Sequence, residues 1–112
     1  MDDRGLLWEA SFRGADVIVP VVVLVEVLTG DHRRDHATER FLRQTVVAPA
    51  DADLCRSAAR LRHLTSRKRP SAVDAIVVAL ADAPGTVVLT SDPLDISALA
   101  ANAVHPIRVQ RV

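Results

Sequence analysis

The 112-residue chain carries 14 basic and 14 acidic residues, is 49% hydrophobic, and holds only 3% aromatics with no Tyr. That balance fits one soluble domain with a core of Val, Leu, Ile and Ala; it excludes base stacking on aromatic rings and leaves nucleic-acid attraction to local basic patches. The single Cys55 excludes an internal disulfide or thiolate cluster and fits a reducing cytosol, and the apolar uncharged run 17–25 is too short and too internal for a membrane span or signal peptide, so the chain is expected to be cytoplasmic.

In chain order, helical spacing of Leu6, Leu7, Ala10 and Ser11 predicts a short helix over 4–13, stopped near Gly14. Residues 16–19 read as a strand, and Pro20 starts a helix over 21–29 that Gly30 ends. A polar loop, 31–34, precedes a helix over 35–44 with Ala37, Phe41 and Leu42 inward. Val46 and Val47 suggest a short strand. The clearest amphipathic helix covers 51–66, with Leu54, Ala58, Leu61 and Leu64 on one face and Arg56, Arg60, His63 and Arg67 on another. Pro70 breaks it, and Ser71 caps a helix running to about residue 83. Pro84-Gly85 turns into a strand over 86–90, followed by a helix over 93–103 and a last strand over 107–109. Strands alternating with helices imply a single α/β domain over 1–112 with a parallel sheet, whose ligands sit at the rim of strand C-terminal ends.

Three carboxylates interrupt apolar runs: Glu26 in VIVPVVVLVEVLTG, Asp74 in SAVDAIVVALA, and Asp92 directly after TVVLTS. A lone charge in such a setting is costly unless it is paired or binds a metal. Each falls near a strand end or a helix start, and Asp95 follows Asp92 within the next helix's first turn. Four acids from three segments thus converge on one rim, where mutual repulsion calls for a hard divalent cation, Mg²⁺ or Mn²⁺. Such a cation can activate water and stabilise charge on a phosphate, so the implied chemistry is phosphodiester hydrolysis.

The segments VPVVVLVEVLTG, PSAVDAIVVALA and VVLTSDPLDI, in this order and spacing, resemble PIN-domain ribonucleases, specifically the VapC toxins of bacterial toxin–antitoxin pairs. The resemblance spans nearly the whole chain. It implies a PIN-like α/β fold, Glu26, Asp74 and Asp92 as catalytic metal-site carboxylates, and Asp95 as a further, less central acid. Thr90 and Ser91 match the small hydroxyl residues before the family's strand-end Asp. The implied activity is Mg²⁺- or Mn²⁺-dependent RNA cleavage, restrained by a VapB-type antitoxin, in a homodimer.

One departure accompanies these matches. PIN domains begin with an apolar strand ending in a metal-binding Asp, whereas MDDRGLLWEA aligns with the family's second helix. Neither Asp2 nor Asp3 follows a strand. That strand lies mid-sheet in the family, so without it two neighbours keep unpaired backbone. Three explanations stand: a misassigned start with about 15–20 residues upstream, a decayed toxin acting only as a binding module, or a partner strand that fills the gap.

Plainer readings compete. Asp74 fits a variant capping box behind Ser71, and Asp92 before Pro93 is a common N-cap. Asp95 could simply complement the helix dipole, and Glu26 could sit on a solvent-facing stripe. The basic segment 56–69, including Arg60, Arg62 and Arg67, could hold RNA phosphates or be an ordinary solvated face. Arg33 and Arg34 raise the same pair of readings. His32 and His36 have zinc-like spacing without a third ligand, and His63 and His105 show no catalytic partner. Trp8 reads as core or interface, and Cys55 as buried and inert.

Overall fold

The computed structural model describes residues 17–65 and 70–112. The helix expected over 4–13, Trp8, Asp2, Asp3 and the cations Arg67, Lys68 and Arg69 lie outside those residues.

Strand β1 (Ile18–Pro20) pairs in parallel with β2 (Val46–Ala48), Ile18 opposite Val46 and Pro20 opposite Ala48. The chain between them makes a 3₁₀ turn (Val21–Val23), a one-turn helix α1 (Leu24–Val27) and helix α2 (His32–Leu42). The helix expected over 21–29 is therefore shorter. Its first residues are mostly β-branched Val, which lose rotamer freedom against the preceding turn. Leu28 returns to extended backbone at φ −94° and ψ 140°.

Helix α2 begins inside the expected loop because the Asp31 side chain caps it, accepting the Arg33 N–H at 3.0 Å. His32, Arg33 and Arg34 are thus helical. Phe41 and Leu42 are buried as the spacing predicts, but Ala37 is exposed and Asp35 takes the interior place.

Helix α3 (Ala52–Leu64) starts at Asp51, whose carboxylate accepts the Leu54 N–H at 2.9 Å. Ala58 and Leu61 face inward, Leu54 is half-buried, and Leu64 is exposed. Cys55 is exposed as well, which corrects its reading as a buried thiol: it lies one position off the inward stripe. At the other end the Thr65 hydroxyl donates to the Leu61 carbonyl at 2.7 Å and accepts from Asn102 at 3.2 Å. Helix α4 (Ala72–Ala81) packs along α3, and Arg62 Nε donates to the Pro70 carbonyl at 2.9 Å, tying the two together.

After α4, Gly85 adopts φ +75°, a left-handed turn that other residues enter only with strain. Strand β3 (Val87–Thr90), helix α5 (Pro93–Ala100) and strand β4 (Arg108–Arg111) complete the chain, α5 ending three residues before the expected 103. β3 and β4 are parallel, with Val87 opposite Arg108 and Thr90 opposite Arg111. The β4 approach is fixed by Asp82, which accepts the Val104 N–H at 3.0 Å and the His105 N–H at 2.8 Å. Its Oδ1 also stands 3.0 Å from His105 Nδ1, so His105 does have a carboxylate partner, one that shapes a loop. Burial pushes the Asp82 carboxyl up, but these donors outweigh it and hold it below its usual range.

The α/β architecture with short parallel strands is the one expected, yet the strands form two separate pairs, β1–β2 and β3–β4. Among the described residues β1 and β3 do not pair with each other. Helix α4 contacts both β1 and β3 and spans the two halves. The contiguous core lies on its side facing α3, β3 and α5: Ala58, Leu61, Ala75, Val78, Ala81, Val88, Ile96 and Leu99. Val19, Phe41 and Leu42 are buried outside that cluster. No helix among the described residues is long and apolar enough to cross a membrane.

Candidate metal centre

Each acid stands where a strand has just ended or a helix has just begun. Glu26 is on α1, six residues beyond the end of β1, and its side chain is exposed. Asp74 lies in the first turn of α4, half-buried, because the Ser71 hydroxyl accepts its N–H at 3.0 Å and fixes the helix start there. Asp92 follows β3 by two residues. Thr90 Oγ1 accepts the Asp92 N–H at 3.0 Å, which sets the direction of the chain as it leaves the strand. Asp95 is exposed in the first turn of α5. Ser91 is exposed between strand and helix.

The structure weighs the plainer readings differently for different acids. Asp92 occupies the N-cap position of α5, with φ −123° and ψ 74°, but its carboxylate makes no capping hydrogen bond. Capping therefore does not account for it. Asp74 does share the capping arrangement with Ser71, so that contact is real, and it coexists with a second influence.

Burial raises the Asp74 carboxyl above its ordinary value, the Ser71 hydroxyl partly opposes this, and Asp95, Glu26 and Asp92 each raise it further. The second influence is therefore like charge. The three acids that repel Asp74 are the ones the apolar runs and the strand end pick out. Asp95 is the strongest of the three, although the motif comparison makes it the less central one. Glu26 on α1 and the acids after β3 are thereby each within electrostatic reach of the N-terminus of α4.

What the arrangement lacks is a closed chelate. Among the described residues no group of three His, Cys, Asp or Glu side chains stands close enough to hold one ion. The donor chemistry nevertheless fits a hard cation that keeps several waters and needs only one or two direct carboxylates, which is how Mg²⁺ is usually held. His32 and His36 do not enter such a group.

The basic residues divide. Arg60 is exposed on α3. Arg56 is engaged with Asp53 at 3.0 Å, an exposed pair of little energetic weight. Arg62 is committed to the Pro70 carbonyl. Arg67 lies outside the described residues.

One acid escaped the sequence reading. Asp35 is 7% exposed, and its two oxygens accept four hydrogen bonds from Thr29 and Gly30 at 2.8–3.1 Å. The signal was its spacing, six and seven residues before Phe41 and Leu42 on the inward side of α2, where an exposed Asp would not be placed.

No curated protein and no solved structure gives a significant match to the chain. A family comparison does: residues 4–101 match the PIN domain. PIN domains are generally nucleases that use divalent metal ions. With most of its length matched and short parallel strands between helices, the chain belongs to the PIN domain family.

Proposed function

We propose that this PIN domain is the endoribonuclease toxin of a VapBC-type toxin–antitoxin pair, cleaving RNA with Mg²⁺ or Mn²⁺ held at Glu26, Asp74 and Asp92, with Asp95 alongside. The observation that carries the reading is the PIN-domain match over residues 4–101, and the influence of Asp95, Glu26 and Asp92 on the raised Asp74 carboxyl, three acids from two other segments of the chain, supports it. A cation bound there would supply an activated water and charge stabilisation for a phosphodiester. The chain's own residues do the rest. Thr90 and Ser71 fix the backbone at Asp92 and Asp74, and an incoming positive charge would relieve the raised Asp74 carboxyl. Arg60, with Arg67 as its companion in sequence, would draw RNA phosphates toward the rim. The working setting is the cytoplasm, with a VapB-type antitoxin as partner and a homodimer as the assembly.

A second reading has its own support. β1 and β3 each have one strand partner among the described residues, so an added strand could pair with either. In this reading the chain is a catalytically impaired PIN-like module that acts through antitoxin binding or self-association.

RNA cleavage by the purified chain, with and without Mn²⁺ and beside Glu26→Gln, separates the two. Cleavage that needs both the metal and Glu26 supports the nuclease; a loss of at least 100-fold is expected in the variant. A folded chain that cleaves nothing under any metal condition favours the module. Metal-dependent cleavage that survives Glu26→Gln removes Glu26 from the site.

A further inference from the structure

We infer that Asp35 is a positioning residue for Glu26, holding the one-turn helix α1 in place from the longer helix α2; the inference rests on the proposed metal site. α1 has four residues and continues a three-residue 3₁₀ turn, together too short to sustain themselves, since helix nucleation costs more than a turn or two returns. No side chain caps α1 at its start. Its last backbone tie is the Leu28 N–H to the Leu24 carbonyl at 2.9 Å, after which the chain is extended and Gly30 turns at φ +86°. Its position must be imposed from outside.

Asp35 does this. Its Oδ1 accepts the Thr29 N–H and the Thr29 hydroxyl, both at 2.8 Å, and its Oδ2 accepts the Gly30 N–H at 2.9 Å and shares the Thr29 N–H at 3.1 Å. The same Thr29 hydroxyl accepts the Asp31 N–H at 3.1 Å, and Asp31 caps α2. The loop between the two helices is thereby closed on itself by one buried carboxylate. α2 supplies the fixed end, because Phe41 and Leu42 sink its far turns into the interior. The Thr29 and Gly30 donors outweigh burial and keep Asp35 below the ordinary carboxylate range, so the acceptor stays charged.

Asp35 is not itself one of the site acids. The carboxylates that repel Asp74 are Asp95, Glu26 and Asp92. Both Asp35 oxygens are already occupied by the loop. Its effect on the site runs through Glu26, three residues before Thr29.

The test is a double-mutant cycle on the full chain, reading Mn²⁺ affinity by titration calorimetry, with thermal unfolding as a check on folding. Asp35→Asn leaves one acceptor oxygen and turns an amide donor toward the Thr29 and Gly30 donors. It is expected to weaken Mn²⁺ binding about 10–100-fold, the range seen when residues that orient metal ligands are removed. In the Glu26→Gln background the same substitution should cost no further affinity. Thr29→Val, which deletes only the hydroxyl, should give a smaller loss with the same non-additivity, and it stands in should Asp35→Asn fail to fold. An equal loss in both backgrounds overturns the inference, because Asp35 would then act on the fold at large. A wild-type chain that binds no Mn²⁺ overturns the proposed metal site, and the inference with it, before any variant is compared.

Discussion

Asp74 is held in a state it would leave if it could. Burial and three neighbouring acids raise its carboxyl, so the ionised form is less favoured in the folded chain than in the unfolded one. A raised carboxyl lends stability that is fully present below the unfolded value, near pH 3.8, and is lost as pH rises through the folded value. At pH 7 without divalent metal, Asp74→Asn should therefore raise the melting temperature, by about 1–3 °C once water screening of a half-exposed group is allowed for. The gain should vanish below about pH 4, where Asp is neutral in both states. Thermal scans in chelator at the two pH values check this, and a lower melting temperature at pH 7 would mean that the cap with Ser71 outweighs the repulsion. Glu26, Asp74 and Asp92 were all legible as acids in apolar company or after a strand. Asp35 was legible only in its spacing before Phe41 and Leu42; its partners, the Thr29 and Gly30 N–H groups and the Thr29 hydroxyl, lie five and six residues upstream and leave no local mark on it.

Helices whose start depends on one side chain were the easiest elements to read. Ser71 caps α4 as the sequence predicts, and Asp51, expected as the first residue of α3, is its cap instead. Asp31 does the same for α2, but two histidines and two arginines after it look like loop, and a cap has to be weighed against that polarity. α1 shows the opposite failure: the apolar run that promised a long helix is built of Val, which favours a strand or a single turn. On α3 the basic stripe is thinner than the sequence suggests, since Arg56 and Arg62 already have partners and Arg60 is exposed. Arg60→Gln should weaken single-stranded RNA binding uniformly across sequences and reduce the slope of log affinity against log salt by about 0.7–1. Binding measured at several salt concentrations decides it; an unchanged slope makes Arg60 ordinary surface.

At the scale of the molecule, stability is concentrated on one side of α4. Leu61 is 1% exposed between α3 and α4, and truncation there opens a cavity in the only contiguous core cluster among the described residues. Leu61→Ala is expected to cost about 2–5 kcal/mol in chemical denaturation, a large share of the margin of a domain this small. A cost under about 1 kcal/mol would mean that the cluster is not the stabilising unit. Alternation of helix and strand made the α/β class readable, but not the division into two strand pairs. Strands of three or four residues carry too little pattern to specify which neighbour they join, and α4 contacts a strand of each pair.

Cys55 is the one cysteine in the sequence and it is exposed, on the helix that packs along α4. The native chain therefore offers a single accessible thiol, and one maleimide dye or nitroxide will mark the molecule at one known place. Proximity between that label and the acidic rim can then be read spectroscopically without altering any residue on which the proposed chemistry depends.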